Sequence, residues 1–147
     1  MEPSALSRPV PRAQETILLI DSSPDERAYW AQRLKLCSSR YHVLEAATAK
    51  TGLEIYQQTQ TIDGVVLELD LSDSSGFVVL VRLVPRVAKP EVPLVILTRL
   101  LSPHLRELAL GSGAQAVLFK QRASGDDLDR AIRKAIAMVG RKKCEER

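Results

Sequence analysis

The chain has 147 residues, 45% hydrophobic and 27% charged, with a net charge of +3. That length carries one domain with a respectable core and leaves no room for a second. The small positive charge comes largely from the tails. Arg141-Lys142-Lys143 has no interleaved aromatic residues, so it reads as a solvated helix end or linker stub and not as a nucleic-acid surface. No apolar run approaches the roughly 18 residues that cross a bilayer, and the N-terminus has no apolar core of a signal peptide, so a cytoplasmic protein without membrane contact is expected. Cys37 and Cys144 lie far apart without nearby His or Cys, which argues against a zinc site or a disulfide framework. A buried Cys37 and an exposed Cys144 are the expectation.

Residues 1–14 hold three prolines and little periodicity and read as a mobile tail. Ile17-Leu18-Leu19-Ile20 is a continuous apolar run, the signature of a strand buried on both faces, and it stops at Asp21. Ser22-Ser23-Pro24-Asp25-Glu26 starts a helix, with a capping serine, a proline at the first position and acids in the first turn. That helix is expected to bury Trp30, Ala31, Leu34 and Cys37. Tyr41-His42-Val43-Leu44 is a short strand, with His42 at the surface or half-buried and not a ligand. A helix over 48–59 turns Ala49, Gly52, Leu53 and Tyr56 inward.

Residues 62–68 form the central strand, ending at Glu68 before a loop of small and acidic residues. In parallel sheets ligands sit beyond the carboxyl ends of the strands, so Glu68 points to the functional rim. A third helix over 77–84 has a core stripe of Phe77, Leu80 and Val84, which leaves Val78 and Val81 as an exposed apolar pair and a candidate interaction face. Pro85 helps to end it. Leu94-Val95-Ile96-Leu97 is a fourth strand, ending in Thr98. Ser102-Pro103 repeats the cap-and-proline start for a helix over 105–110, closed by Gly111 and Gly113. Ala116-Val117-Leu118-Phe119 is a fifth strand, ending in Lys120. The last helix follows Ser124, with Leu128, Ile132, Ala135, Ile136 and Val139 on one face. A domain over 15–140 with a charged stub over 141–147 is the expected organisation.

Five strands alternating with five helices predict an α/β, flavodoxin-like, doubly wound (βα)5 three-layer sandwich with parallel order 2-1-3-4-5. In that order Asp21, Ser22, Glu68, Thr98 and Lys120 converge on one rim.

From residue 17 to 139 the chain resembles the receiver domain of two-component response regulators. The residues that carry the likeness are Ile17 to Asp21, 63–76 with Gly76 eight residues after Glu68, Leu97-Thr98 and Phe119-Lys120. The resemblance implies a pocket in which two acids after the first strand hold magnesium. An aspartate after the third accepts a phosphoryl group from a partner's histidine. A threonine or serine after the fourth bonds the phosphoryl oxygens, and a lysine after the fifth neutralises them.

Thr98 and Lys120 keep that pattern. The second acid falls on Ser22, leaving Asp21 alone, and the phosphoacceptor position falls on Glu68. Arg99 replaces a small residue after the threonine, Val117 replaces the aromatic switch, and Gln121 replaces the proline after the lysine. Magnesium favours octahedral oxygen coordination, so a hydroxyl in place of a carboxylate leaves at most a weak site at Asp21 and Glu68. A glutamate sits a methylene further out, and misplacement by about 1 Å costs roughly 10²-fold in transfer.

The expectation is therefore a pseudo-receiver. It is not an enzyme, has no catalytic residue and no required cofactor or metal, and pairs Glu68 with Lys120 as a partial mimic of a phosphorylated aspartate. It would act in signal transduction through protein contacts, with a histidine kinase or output domain as partner, or as a homodimer. With valine at 117, the face of the fourth helix, fifth strand and last helix is expected to be static. The alternative is a phosphorylation-competent receiver using Glu68 or, less well spaced, Asp70. A nucleotide- or flavin-binding protein is disfavoured, because Asp21-Ser22-Ser23-Pro24 is not a glycine-rich phosphate loop.

Overall fold

The structure, a computed structural model, describes residues 14–145, with side chains described as far as Gly140. Residues 1–13 of the tail expected over 1–14, and the Cys144 side chain, lie outside that range. The elements run β1 (Glu15–Ile20), α1 (Pro24–Cys37), β2 (Tyr41–Ala46), α2 (Ala49–Gln58), β3 (Gly64–Leu67), α3 (Gly76–Leu83), β4 (Leu94–Thr98), α4 (Pro103–Gly111), β5 (Ala116–Phe119) and α5 (Gly125–Glu145). The sheet is parallel in the order β2-β1-β3-β4-β5, as its sequence pattern requires. The last helix continues to Glu145, past the expected boundary at residue 140.

Every residue of β3 and β4 is buried, which accounts for their unbroken apolar runs. Alternation along the strands sorts those side chains into two cores. Ile17, Leu19, Val66, Val95 and Leu97 pack against Trp30, Ala31 and Leu34 of α1 and Leu128, Ile132 and Ala135 of α5. Leu18, Ile20, Val65, Leu67, Leu94 and Ile96 face the opposite way, against α2, α3 and α4.

Local signals set the helix starts. Ser23 caps α1 by accepting from the Glu26 amide at 3.3 Å. At α5 the Ser124 hydroxyl accepts from the Asp127 amide at 3.1 Å while Asp127 accepts from the Ser124 amide at 2.9 Å, a reciprocal capping box. Ser102 precedes Pro103 at the start of α4 but makes no side-chain cap bond.

One packing expectation changes, the burial of Cys37. At α3 the stripe of Phe77, Leu80 and Val84 packs on the core as expected, with Phe77 half-buried, and Val79 is buried beside it. Leu53 and Tyr56 of α2 face inward as expected, half-buried against one core, and Ile136 of α5 packs in the same way against the other. Cys37 is half-buried where α1 ends beside α5, its thiol 3.6 Å from Asp126 Oδ1. Burial, first of all, then the neighbouring Asp129 and Asp126, push this thiol above its ordinary pKa. His42 is exposed, as expected.

Candidate functional site

The ladders run one residue beyond the strands. The amide of Asp21 donates to Ala46 O at 3.0 Å, that of Glu68 to Ile20 O at 3.0 Å, and that of Lys120 to Thr98 O at 2.9 Å. Asp21, Glu68 and Lys120 therefore keep the strand alternation and point toward the α1–α5 layer. Thr98 has the alternation of Leu94 and Ile96 and faces the other layer.

The geometry at the rim follows from this. Lys120 Nζ lies 2.6 Å from Asp21 Oδ2, 2.5 Å from Glu26 Oε1 and 2.9 Å from Glu68 Oε1. The Lys120, Asp21 and Glu68 side chains are only 8%, 3% and 2% exposed. Burial by itself lowers the Lys120 pKa, but hydrogen bonds from the ammonium to Asp21, Glu26 and Glu68 outweigh it and hold the group above its ordinary value. Glu68 is further fixed by backbone donors, with Oε1 accepting from the Arg99 amide and Oε2 from the Asp70 amide, both at 3.1 Å.

Asp21 is thus not alone: Glu26, from the first turn of α1, supplies a further carboxylate, although in the sequence it is marked only as a helix-start acid. Glu68 also meets the backbone amide of Arg99, the residue after Thr98. The Thr98 hydroxyl accepts from Leu100 N at 3.1 Å.

Ser22, where a metal-binding acid was expected from the resemblance, joins three loops. Its hydroxyl donates to Ala47 O at 2.5 Å and accepts from the Ser72 amide at 2.9 Å. Asp73 adds a second tie, accepting from the amides of Ala49 and Lys50 at 2.9 and 3.1 Å. These amide bonds, that from Ala49 foremost, hold the Asp73 carboxyl below its usual range. Arg99 folds onto Asp70, with Nη2 2.7 Å and Nε 3.0 Å from Oδ2. The alternative acceptor Asp70 is therefore already ion-paired.

Gly76 has a physical reason to be glycine: a Cβ there would lie 2.4 Å from Glu68 O and 2.7 Å from Leu69 Cα. Its amide also donates to Leu69 O at 2.8 Å, closing the loop back onto the β3 end.

A cleft of about 300 Å³ opens over these groups, lined among others by Ser22, Ser72, Asp70 and Arg99. Asp21, Glu26 and Glu68 bring carboxylate oxygens within 4.8 Å of one another, a donor set that suits a hard cation. Yet the Lys120 ammonium sits within hydrogen-bond distance of all three, so a cation held by the same oxygens must first displace it. With Lys120 in this position the residues do not fit a magnesium ion.

Several known proteins share this architecture. A receiver domain protein from Methanospirillum hungatei JF-1 superposes with a TM-score of 0.75 at 22% identity, over 88% of this chain and 98% of its own. One from Clostridium thermocellum superposes with a TM-score of 0.72 at 26% identity, over 88% and 98%. Among curated proteins, the chain is 32% identical over 108 residues to a probable cyclic di-GMP phosphodiesterase of Vibrio cholerae, covering 74% of this chain and 24% of that protein. It is 29% identical over 131 residues to the gliding motility regulatory protein of Myxococcus xanthus, covering 86% and 16%. The chain thus spans only a quarter or less of these two relatives. No described helix is long and apolar enough to cross a membrane. A family model for the response regulator receiver domain matches residues 17–133, on the same strands and loops that build this rim, and the chain belongs to that family of signal-transduction domains.

Proposed function

We propose that this chain is a cytoplasmic pseudo-receiver, which passes signals through protein contacts without aspartyl phosphorylation and has no enzymatic activity of its own. The observation that carries the proposal is Glu68 at the phosphoacceptor position, held by Lys120 and by two backbone amides. An acceptor must present a free oxygen in line with the incoming phosphorus. Here Oε1 is engaged by the Lys120 ammonium and the Arg99 amide, and Oε2 by the Asp70 amide.

The pair Glu68–Lys120 resembles, in charge and position, part of what an acyl phosphate would make with the same lysine, and charge-assisted bonds of this kind are strong. One carboxylate carries less charge than an acyl phosphate, so the mimicry is partial. Partners of the kind that receivers serve, a histidine kinase or an output domain, would then meet a fixed conformation. The Val78–Val81 face of α3 is the proposed contact surface.

Incubation with acetyl phosphate and magnesium, followed by intact-mass spectrometry, tests the proposal. The expected result is an unchanged mass. A hydroxylamine-sensitive gain of one phosphoryl group would overturn it in favour of a phosphorylation-competent receiver, a reading supported by the extra carboxylate of Glu26 beside the pocket.

A further inference from the structure

On α3, Val78 and Val81 are 44% and 58% exposed, and Arg82 shares their face at helical spacing. The helix ends at Leu83, and the turn that follows leaves Arg86, Val87 and Lys89 exposed, with Val87 47% accessible. Val87 also lines a cleft of about 240 Å³ with Pro90, Leu110 and Met138. Between residues 74 and 90 the sequence contains three cations and no acid. Arg82, Arg86 and Lys89, like Arg33, Lys35 and Arg40, form no ion pair among the described residues, but these three lie together beside an exposed apolar pair. Val78, Val81 and the three cations form one mixed apolar and basic surface on an open helix face and the turn after it.

We propose that the outer face of α3 and the turn after it dock an acidic, amphipathic helix of a partner protein. The inference rests on the reading of this domain as a protein-contact module and names the chemistry of the contact. The surface is a convex helix face without a strand edge, so it offers side chains and not backbone bonds. A helix that packs on it must bring its own apolar stripe, at i, i+3, i+4 and i+7, to cover Val78 and Val81. From Val78 to Leu83 the helical face is about 7.5 Å long, under two turns of such a helix, and the basic turn extends it. Acidic flanks complement Arg82, Arg86 and Lys89, which would speed the encounter, make it sensitive to salt and repel basic competitors.

The test is a titration of the isotope-labelled chain, followed by amide chemical shifts, with two synthetic amphipathic helices. They share one apolar stripe and differ only in glutamate or lysine flanks. The expected result is that shifts concentrate at residues 76–90 and that the glutamate peptide binds at least about tenfold more tightly than the lysine peptide. That preference should shrink when salt rises from about 0.05 to about 0.5 M. Val78→Ser with Val81→Ser, and separately Arg82→Glu with Arg86→Glu, should each abolish binding while the melting temperature stays near that of the wild type.

Equal binding of the two peptides, binding of neither, or shifts centred elsewhere would overturn the proposal. So would self-association of the chain that the serine variants remove, which makes a second copy the occupant. Adsorption to phosphatidylserine vesicles without response to either peptide would assign the surface to lipid instead. The acetyl phosphate experiment separates this inference from the reading beneath it. A chain that takes up phosphoryl yet binds the acidic helix at α3 loses only the pseudo-receiver reading. One that stays unmodified and ignores both peptides loses only the docking surface.

Discussion

The hydroxyl of Ser22 accepts a hydrogen bond from the amide of Ser72 at 2.9 Å, tying the loop after β1 to the loop after β3. The same hydroxyl donates to Ala47 O, so a single oxygen joins three loops at the carboxyl rim of the sheet. Ser22→Ala removes both bonds and should cost about 1–2 kcal/mol by chemical denaturation. Faster hydrogen exchange at the Ser72 amide is the local sign, and Ser22→Thr, which keeps the hydroxyl, should restore most of the protection.

That clasp also shapes the attempt to rebuild a phosphorylation site. Glu68→Asp, Ser22→Asp and Arg99→Ala together shorten the acceptor, add a carboxylate and release Asp70. The triple variant should gain measurable magnesium affinity and some phosphoryl uptake from acetyl phosphate, read by calorimetry and intact mass. It should also be less stable than the wild type, because a carboxylate at position 22 cannot donate to Ala47 O. A triple variant as inert as the wild type would show that more than these three positions blocks the chemistry.

Lys120 is the counter-charge for two buried carboxylates, Asp21 and Glu68. Lys120→Met leaves them uncompensated and should cost about 3–5 kcal/mol of stability. Whatever folded variant remains should bind divalent manganese more tightly than the wild type, since the three carboxylate oxygens are no longer occupied by an ammonium. Paramagnetic relaxation of water protons measures that gain.

The pH dependence follows from the same group. The Lys120 pKa is raised in the folded chain above 10.5, so its stabilising contribution is fully present below that value and fades as pH climbs through the higher folded one. Urea midpoints of the wild type should fall between pH ~10 and ~12, more steeply than those of Lys120→Met, because only the wild type has this proton to lose. Parallel curves would remove Lys120 as the cause.

Val117 is buried at 4% exposure, where the resemblance places a switching ring, and Thr98 already spends its hydroxyl on Leu100 N. A valine cannot exchange between an inward and an outward ring position, so the usual two-state element is missing. Relaxation-dispersion NMR should be flat across Thr98, Leu105 and Val117. Concerted exchange on the microsecond-to-millisecond scale would contradict this.

The sequence by itself determined the element order, the parallel sheet and the common rim for Asp21, Glu68, Thr98 and Lys120. Buried parallel strands must be apolar throughout, and right-handed crossovers leave few ways to order them. The exposure of Val78 and Val81 was legible for a similar reason, since helical spacing separates them from the core stripe.

Only the tertiary structure decided which of the rim residues meet. Strand alternation turns Asp21, Glu68 and Lys120 toward α1 and Thr98 away from it, a sorting that depends on how far each ladder continues past its strand. Glu26 was hidden because an acid in a first turn is already explained by the helix dipole. It joins Lys120 only because α1 packs over the same side of the sheet. Ser22 reads locally as a helix-start serine, and nothing within a few residues of it announces Ala47 or Ser72. Their meeting depends on β2 and β3 both pairing with β1, which brings distant loops to one edge where a single hydroxyl can bridge them.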